Sequence, residues 1–84
     1  MKVRIYSRDN DGNPEELGAI VLKGGVLVQE PICNALTNLL SEPLVFYDKE
    51  TRILIDPMDE PKQFLDALPL ALRGSYVWAG EVEG

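Results

Sequence analysis

The stretch Asp59-Glu-Pro-Lys-Gln-Phe-Leu-Asp-Ala-Leu-Pro-Leu-Ala-Leu-Arg-Gly-Ser-Tyr-Val-Trp78 joins the clearest helical signal in the chain to its most aromatic strand signal. At about 100° per residue, Phe64, Leu65, Ala67, Leu68, Ala71 and Leu72 share one apolar side, while Lys62, Gln63, Asp66 and Arg73 fall opposite. A helix with that pattern must lie on something apolar. Pro61 suits a first-turn position behind a cap at Asp59 or Glu60. Pro69 lacks the donor that would bond Leu65, so the main helix is expected to end near Leu68, with a kink or restart and one further turn. Gly74 supplies a left-handed residue to end that turn. Ser75 to Val82 then reads as a strand with Tyr76, Trp78 and Val82 on one apolar face packed on the domain.

Upstream, Lys2 to Ser7 sets Val3 and Ile5 against Lys2, Arg4 and Tyr6, the alternation of a half-buried antiparallel strand. Asp9 to Glu16 crowds turn formers and four carboxylates into one stretch and reads as a connecting loop. From Ala19 to Gln29 two β-branched-rich runs flank Gly24-Gly25, which predicts a hairpin with a two-residue turn. Pro31 at a first-turn position, followed by Ile32, Ala35, Leu36, Leu39 and Leu40, predicts a short helix with a continuous apolar stripe, and Pro43 stops it. Leu44 to Tyr47 and Arg52 to Ile55, around Asp48 to Thr51, read as a second hairpin or a pair of short extended segments. The order β, β-hairpin, α, β-hairpin, α, β predicts an α+β fold over residues 1–84 as one domain. In it, a small, mainly antiparallel sheet carries two short amphipathic helices on one face.

Size and composition narrow the function. With 84 residues and 45% hydrophobic content there is enough for one core, and a stability on the order of 4 to 12 kcal/mol is expected. No apolar run approaches the ~20 residues that span a bilayer, and the amino-terminal alternation lacks a signal peptide's apolar segment. A lone cysteine cannot form an internal disulfide, and the expected location is the cytoplasm. A formal charge of −6 opposes nucleic-acid phosphates and anionic membranes as direct partners. The absence of histidine removes the commonest general base and the commonest transition-metal ligand together.

The run Phe64-Leu-Asp-Ala-Leu-Pro69, then Arg73 to Tyr76, then Glu81-Val-Glu83 resembles the C-terminal part of a group of small uncharacterised bacterial proteins. The similarity covers about the last third of the chain. It implies a bacterial-type cytoplasmic protein and carries no activity, cofactor or site residue with it.

Individual sites point away from catalysis. Asp9-Asn-Asp-Gly-Asn has the look of a calcium loop, but with Gly12 at the obligatory glycine the first ligand position is Ser7 and the bidentate glutamate position is Gly18. The loop is therefore expected to be a solvated turn. Cys33, at the margin of the first helix's stripe, has no histidine base and reads as a small core residue. Among Asp56, Asp59, Glu60 and Asp66 an acid/base pair is disfavoured, since Asp59 and Glu60 suit a helix start. Gly24-Gly25 lacks the lysine-serine pair and following helix of a phosphate cradle. No catalytic residue, cofactor or metal ligand is assigned.

Tyr47, Tyr76 and Trp78 are candidate aromatic anchors for a partner, although so small a core also needs its aromatics. Because Ser75 to Val82 closes the sequence, it is a candidate edge strand, with Glu81 and Glu83 on its acidic side guarding against self-pairing. The candidate interaction residues are thus Tyr76, Trp78, Glu81 and Glu83. The expected function is a non-catalytic protein-interaction module or accessory subunit, monomeric or weakly dimeric, with a protein partner of basic character. The alternative is an acidic inhibitor, antitoxin-like or mimicking nucleic acid, that occupies the basic site of its partner.

Overall fold

The computed structural model describes residues 1–84, except for the side chains of residues 46–48. The elements run β1 (Lys2–Arg8), β2 (Pro14–Lys23), β3 (Val26–Glu30), α1 (Asn34–Leu40), β4 (Leu44–Asp48), β5 (Thr51–Ile55), α2 (Pro61–Ala71) and β6 (Trp78–Glu83). Four strands form an antiparallel sheet in the order β3-β2-β1-β6, and β4 pairs with β5 as a separate antiparallel ribbon. This is the α+β arrangement expected from the sequence. The amino-terminal strand β1 is one of the two interior strands of the larger sheet.

The inner row of β1 shows why. Val3, Ile5 and Ser7 are buried, while Lys2, Arg4 and Tyr6 between them are only half-covered, as a period of two requires for a sheet with one dry face. Ile20 of β2 joins Val3 and Ile5, and both helices close over them with Leu36 of α1 and Phe64, Leu65 and Leu68 of α2, all fully buried. Leu44 and Ile55 bring the small ribbon onto the same core. The apolar stripe of α2 is thus the one read from its sequence, with Ala67, Ala71 and Leu72 at its margin.

Gly24 and Gly25 have φ of 59° and 81°, so both central residues of the β2–β3 turn take the left-handed values that a two-residue hairpin turn needs. The carboxylate of Glu30 accepts a 2.7 Å bond from Lys23 Nζ at the base of that hairpin. This bond, and then the charge of Lys23, holds the Glu30 carboxyl below its ordinary pKa.

The structure differs from the sequence pattern at Pro69, at the start of α1 and in the turn at Asp9. Pro69 does not end or restart the helix: α2 continues through it to Ala71, and the Leu72 amide still donates to the Leu68 carbonyl at 3.0 Å. Packing of Ala71 and Leu72 on the core keeps the last turn helical despite the missing donor. At the other end Glu60 is the capping residue but makes no side-chain cap bond; Asp56 Oδ1 instead accepts from the amides of Met58 and Asp59.

Pro31 and Ile32 lie outside α1, which starts at Asn34, and Ile32 is 83% exposed. Gln29 Oε1 sets that start by accepting from the Cys33 amide and the Thr37 hydroxyl. The loop read over Asp9 to Glu16 is shorter, because Pro14 to Glu16 already pair with Arg8, Ser7 and Tyr6. Asp9 Oδ1 accepts from the amides of Asp11 and Asn13, both at 2.9 Å, and so closes the turn in fewer residues than composition suggested.

Two outcomes follow. Leu68→Ala should cost ~2 to 5 kcal/mol in chemical denaturation, because the side chain is fully enclosed and its loss leaves a cavity. For Glu30, a carboxyl depressed in the folded state stabilises fully above its unfolded pKa, and that contribution is lost as pH falls through the folded value. The melting temperature of Glu30→Gln should therefore lie slightly below the parent's at neutral pH. The two should converge below the ordinary glutamate range.

Candidate functional site

The outer side of the sheet is built around Arg4. On one side of it β2 carries an irregularity between the partners of Ile5 and Tyr6, and on the other β6 carries one between the partners of Val3 and Ile5. In β6 this sets Gly80 and Glu81 against the single residue Arg4, a bulge. The Arg4 guanidinium reaches both neighbouring strands, with Nη1 at 3.0 Å from Glu16 and Nε at 2.9 Å from Glu83. Its bond to Glu16 first, and to Glu83 second, raises the arginine pKa still further.

The bulge corrects the reading of β6. Strand register extends over Trp78–Glu83 only, and Tyr76 precedes it, 74% exposed. An extra residue reverses the alternation, so Val82 pairs with Val3 on the core side whereas Trp78 pairs with Tyr6 on the outer side. Val77 and Ala79, which by strict alternation would share the acidic side with Glu81 and Glu83, pack against the core instead. Trp78 is not a core residue of the strand: its ring stacks on Tyr6 with centroids 6.0 Å apart and an interplanar angle of 22°. The Arg8 guanidinium carbon lies 5.2 Å from the centre of the Trp78 ring. At Gly80 a Cβ would meet the Tyr6 ring edge at 3.1 Å, so the missing side chain leaves room for this cluster.

Beside the cluster, where α2 turns back into β6, an open cleft of about 430 Å³ is lined by Arg8, Arg73, Ser75, Tyr76 and Trp78, among others. Gly74, with φ of 78°, turns the chain around its rim, and the Ser75 amide donates to the Leu72 carbonyl. The Tyr76 hydroxyl donates to the Arg8 carbonyl at 3.3 Å, tying the segment before β6 to the end of β1. Arg8 Nη1 donates to the Gly12 carbonyl at 2.8 Å.

Of the candidate interaction residues, the structure brings Tyr76 and Trp78 together in this cleft. Glu83 is engaged by Arg4, and Glu81 is exposed at the bulge. The side chain of Tyr47 lies outside the described residues. Sequence reasoning missed Arg8, and set Arg73 aside as merely the polar side of a helix. A signal for Arg8 existed: continuing the alternation of Arg4 and Tyr6 by two residues places Arg8 on the same outer face.

Among the described residues no group of three potential ligands is placed to hold a metal ion. The Asp9 carboxylate is already committed to its own turn. Cys33 is half-buried against the core, before the first residue of α1. Among the described residues no helix is long and apolar enough to cross a membrane. Comparison with protein families, with curated proteins and with solved structures returns no match.

Proposed function

We propose that the chain is a non-catalytic, cytoplasmic protein-interaction module, monomeric or at most weakly dimeric, which accepts a segment of a partner protein along β6. The observation that carries this reading is the place of β6 in the sheet. It pairs with β1 on one side and is the last strand in the order β3-β2-β1-β6. A terminal strand presents a row of backbone donors and acceptors that an extended segment can pair with. Main-chain bonds of that kind supply affinity, and the flanking side chains supply selectivity. Here those side chains are the exposed Tyr76 and the outer-face Trp78 at the start of the strand, with Glu81 and Glu83 toward its end.

The opposite edge, β3, is less suited. It begins at the exposed Val26 beside the tight glycine turn and has neither an aromatic nor an arginine of its own. Because Glu83 is neutralised by Arg4, Glu81 is the residue through which the strand would favour a basic partner.

The excess of 14 acidic over 8 basic side chains supports a second reading, an acidic inhibitor that covers the basic site of its partner. Ionic strength separates the two, since charge mimicry weakens steeply with salt and strand pairing does not. The test is affinity capture from a native lysate at low and high salt, followed by amide hydrogen exchange on the purified complex. Retention at high salt, with new protection concentrated in residues 78–83, is the expected result. Protection at β3 or elsewhere, with β6 unchanged, would contradict it, and capture lost at high salt would favour the inhibitor. Light scattering of the isolated protein should give a monomer or a dimer that dissociates on dilution; a tight, salt-independent dimer would mean that β6 already serves another copy.

A further inference from the structure

The cleft beside β6 is chemically unlike the rest of the surface. The protein carries 14 acidic side chains against 8 basic ones, yet among the described residues this cleft is lined by two arginines and by no carboxylate. Elsewhere the cations that meet carboxylates do so as structural pairs, Arg4 with Glu16 and Glu83, and Lys23 with Glu30. Arg8 and Arg73 make no ion pair among the described residues.

Arg8 is also held in place. One of its donors is spent on the Gly12 carbonyl, its plane lies near the Trp78 ring, and its own carbonyl is tied to Tyr76. A guanidinium carries five N–H donors, so most of the fork remains available. Two arginines from separate elements, the end of β1 and the turn after α2, line this one cleft, and a guanidinium fork is the group that pairs best with an oxyanion. The Ser75 hydroxyl adds a neutral donor at the same rim. Pro69 and the Tyr76 ring give the cleft an apolar wall, and its volume of about 430 Å³ falls in the range of small-molecule sites.

We propose that this cleft binds a small organic oxyanion, a carboxylate or phosphate carried on an apolar ring or short chain. Arg8 and Arg73 grip the charged group, and the body lies against Pro69 and Tyr76. This goes beyond the interaction reading and does not depend on it, since the ligand is held by side chains of the cleft and not by the edge of β6. The charge of the arginines is the discriminating element: a neutral isostere leaves the fork unpaired.

Trp78 is the only tryptophan, so its emission reports the cleft directly. The experiment titrates the whole protein with phenyl phosphate and with benzoate at ionic strength held constant with sodium chloride, reading Trp78 emission and the amide shifts of residues 73–79. Benzyl alcohol serves as the neutral control. A saturable response to at least one acid and none to the alcohol is expected. Arg73→Gln should weaken that response by about tenfold or more, the usual scale for losing a charge-assisted hydrogen bond.

The melting temperature of this variant should stay at the parent's value, because the Arg73 side chain takes part in no ion pair among the described residues. Tighter binding of phenyl phosphate assigns the site to phosphates, and tighter binding of benzoate assigns it to carboxylates. No saturable change in either readout, an equal response to the alcohol, or unaltered binding by Arg73→Gln would overturn the proposal.

Discussion

The bulge that sets Gly80 and Glu81 of β6 against Arg4 of β1 is the constraint on which the presentation of this molecule depends. A sheet with one dry face assigns every residue to a side by parity, and one extra residue exchanges the sides for everything beyond it. Without the bulge, Trp78 would share the core side with Val82; with it, the indole lies outside on Tyr6, near Arg8. Arg4 sits opposite that point and also bonds Glu16 across the other strand, so one guanidinium spans three strands where their registers shift. These pairs are exposed, and their role is positional more than energetic.

Stability comes from the other side of the sheet. The inner rows of β1 and β2, the stripe of α2 and a single buried leucine from α1 form one core, to which the β4–β5 ribbon adds Leu44 and Ile55. An arrangement of this size leaves little apolar area to spare, so the outer-face aromatics contribute more to the character of the surface than to the core. That division lets an acidic domain carry a local arginine and aromatic site without weakening its fold. Several acidic groups elsewhere are spent on turns and pairs, as Asp9, Asp56 and Glu16 are.

Much of this was legible in the residues, because most of it is governed by periodicity and by turn chemistry. Phe64, Leu65 and Leu68 had to share a face at helical spacing, and Gly24-Gly25 between β-branched runs had few other uses. The helix through Pro69 was not legible, since tertiary packing there outweighs a local preference that the sequence states plainly. Nor was the short turn at Asp9, where one carboxylate does the work of several loop residues. The candidate site was half legible. Tyr76 and Trp78 stood out by their type, but the arginines that join them in the cleft are brought there by topology, from positions 65 residues apart in the chain. The face of Trp78 was misread because a bulge is invisible to alternation.

The orientation of that indole therefore tests the account most directly. In a nuclear Overhauser spectrum of the labelled protein, the Trp78 indole protons should show contacts to the Tyr6 ring and to the Arg8 side chain, and none to Phe64 or Leu68. Contacts from the indole to Val3, Phe64 or Leu68 would place Trp78 on the core side, remove the bulge from β6, and dissolve the cleft with it.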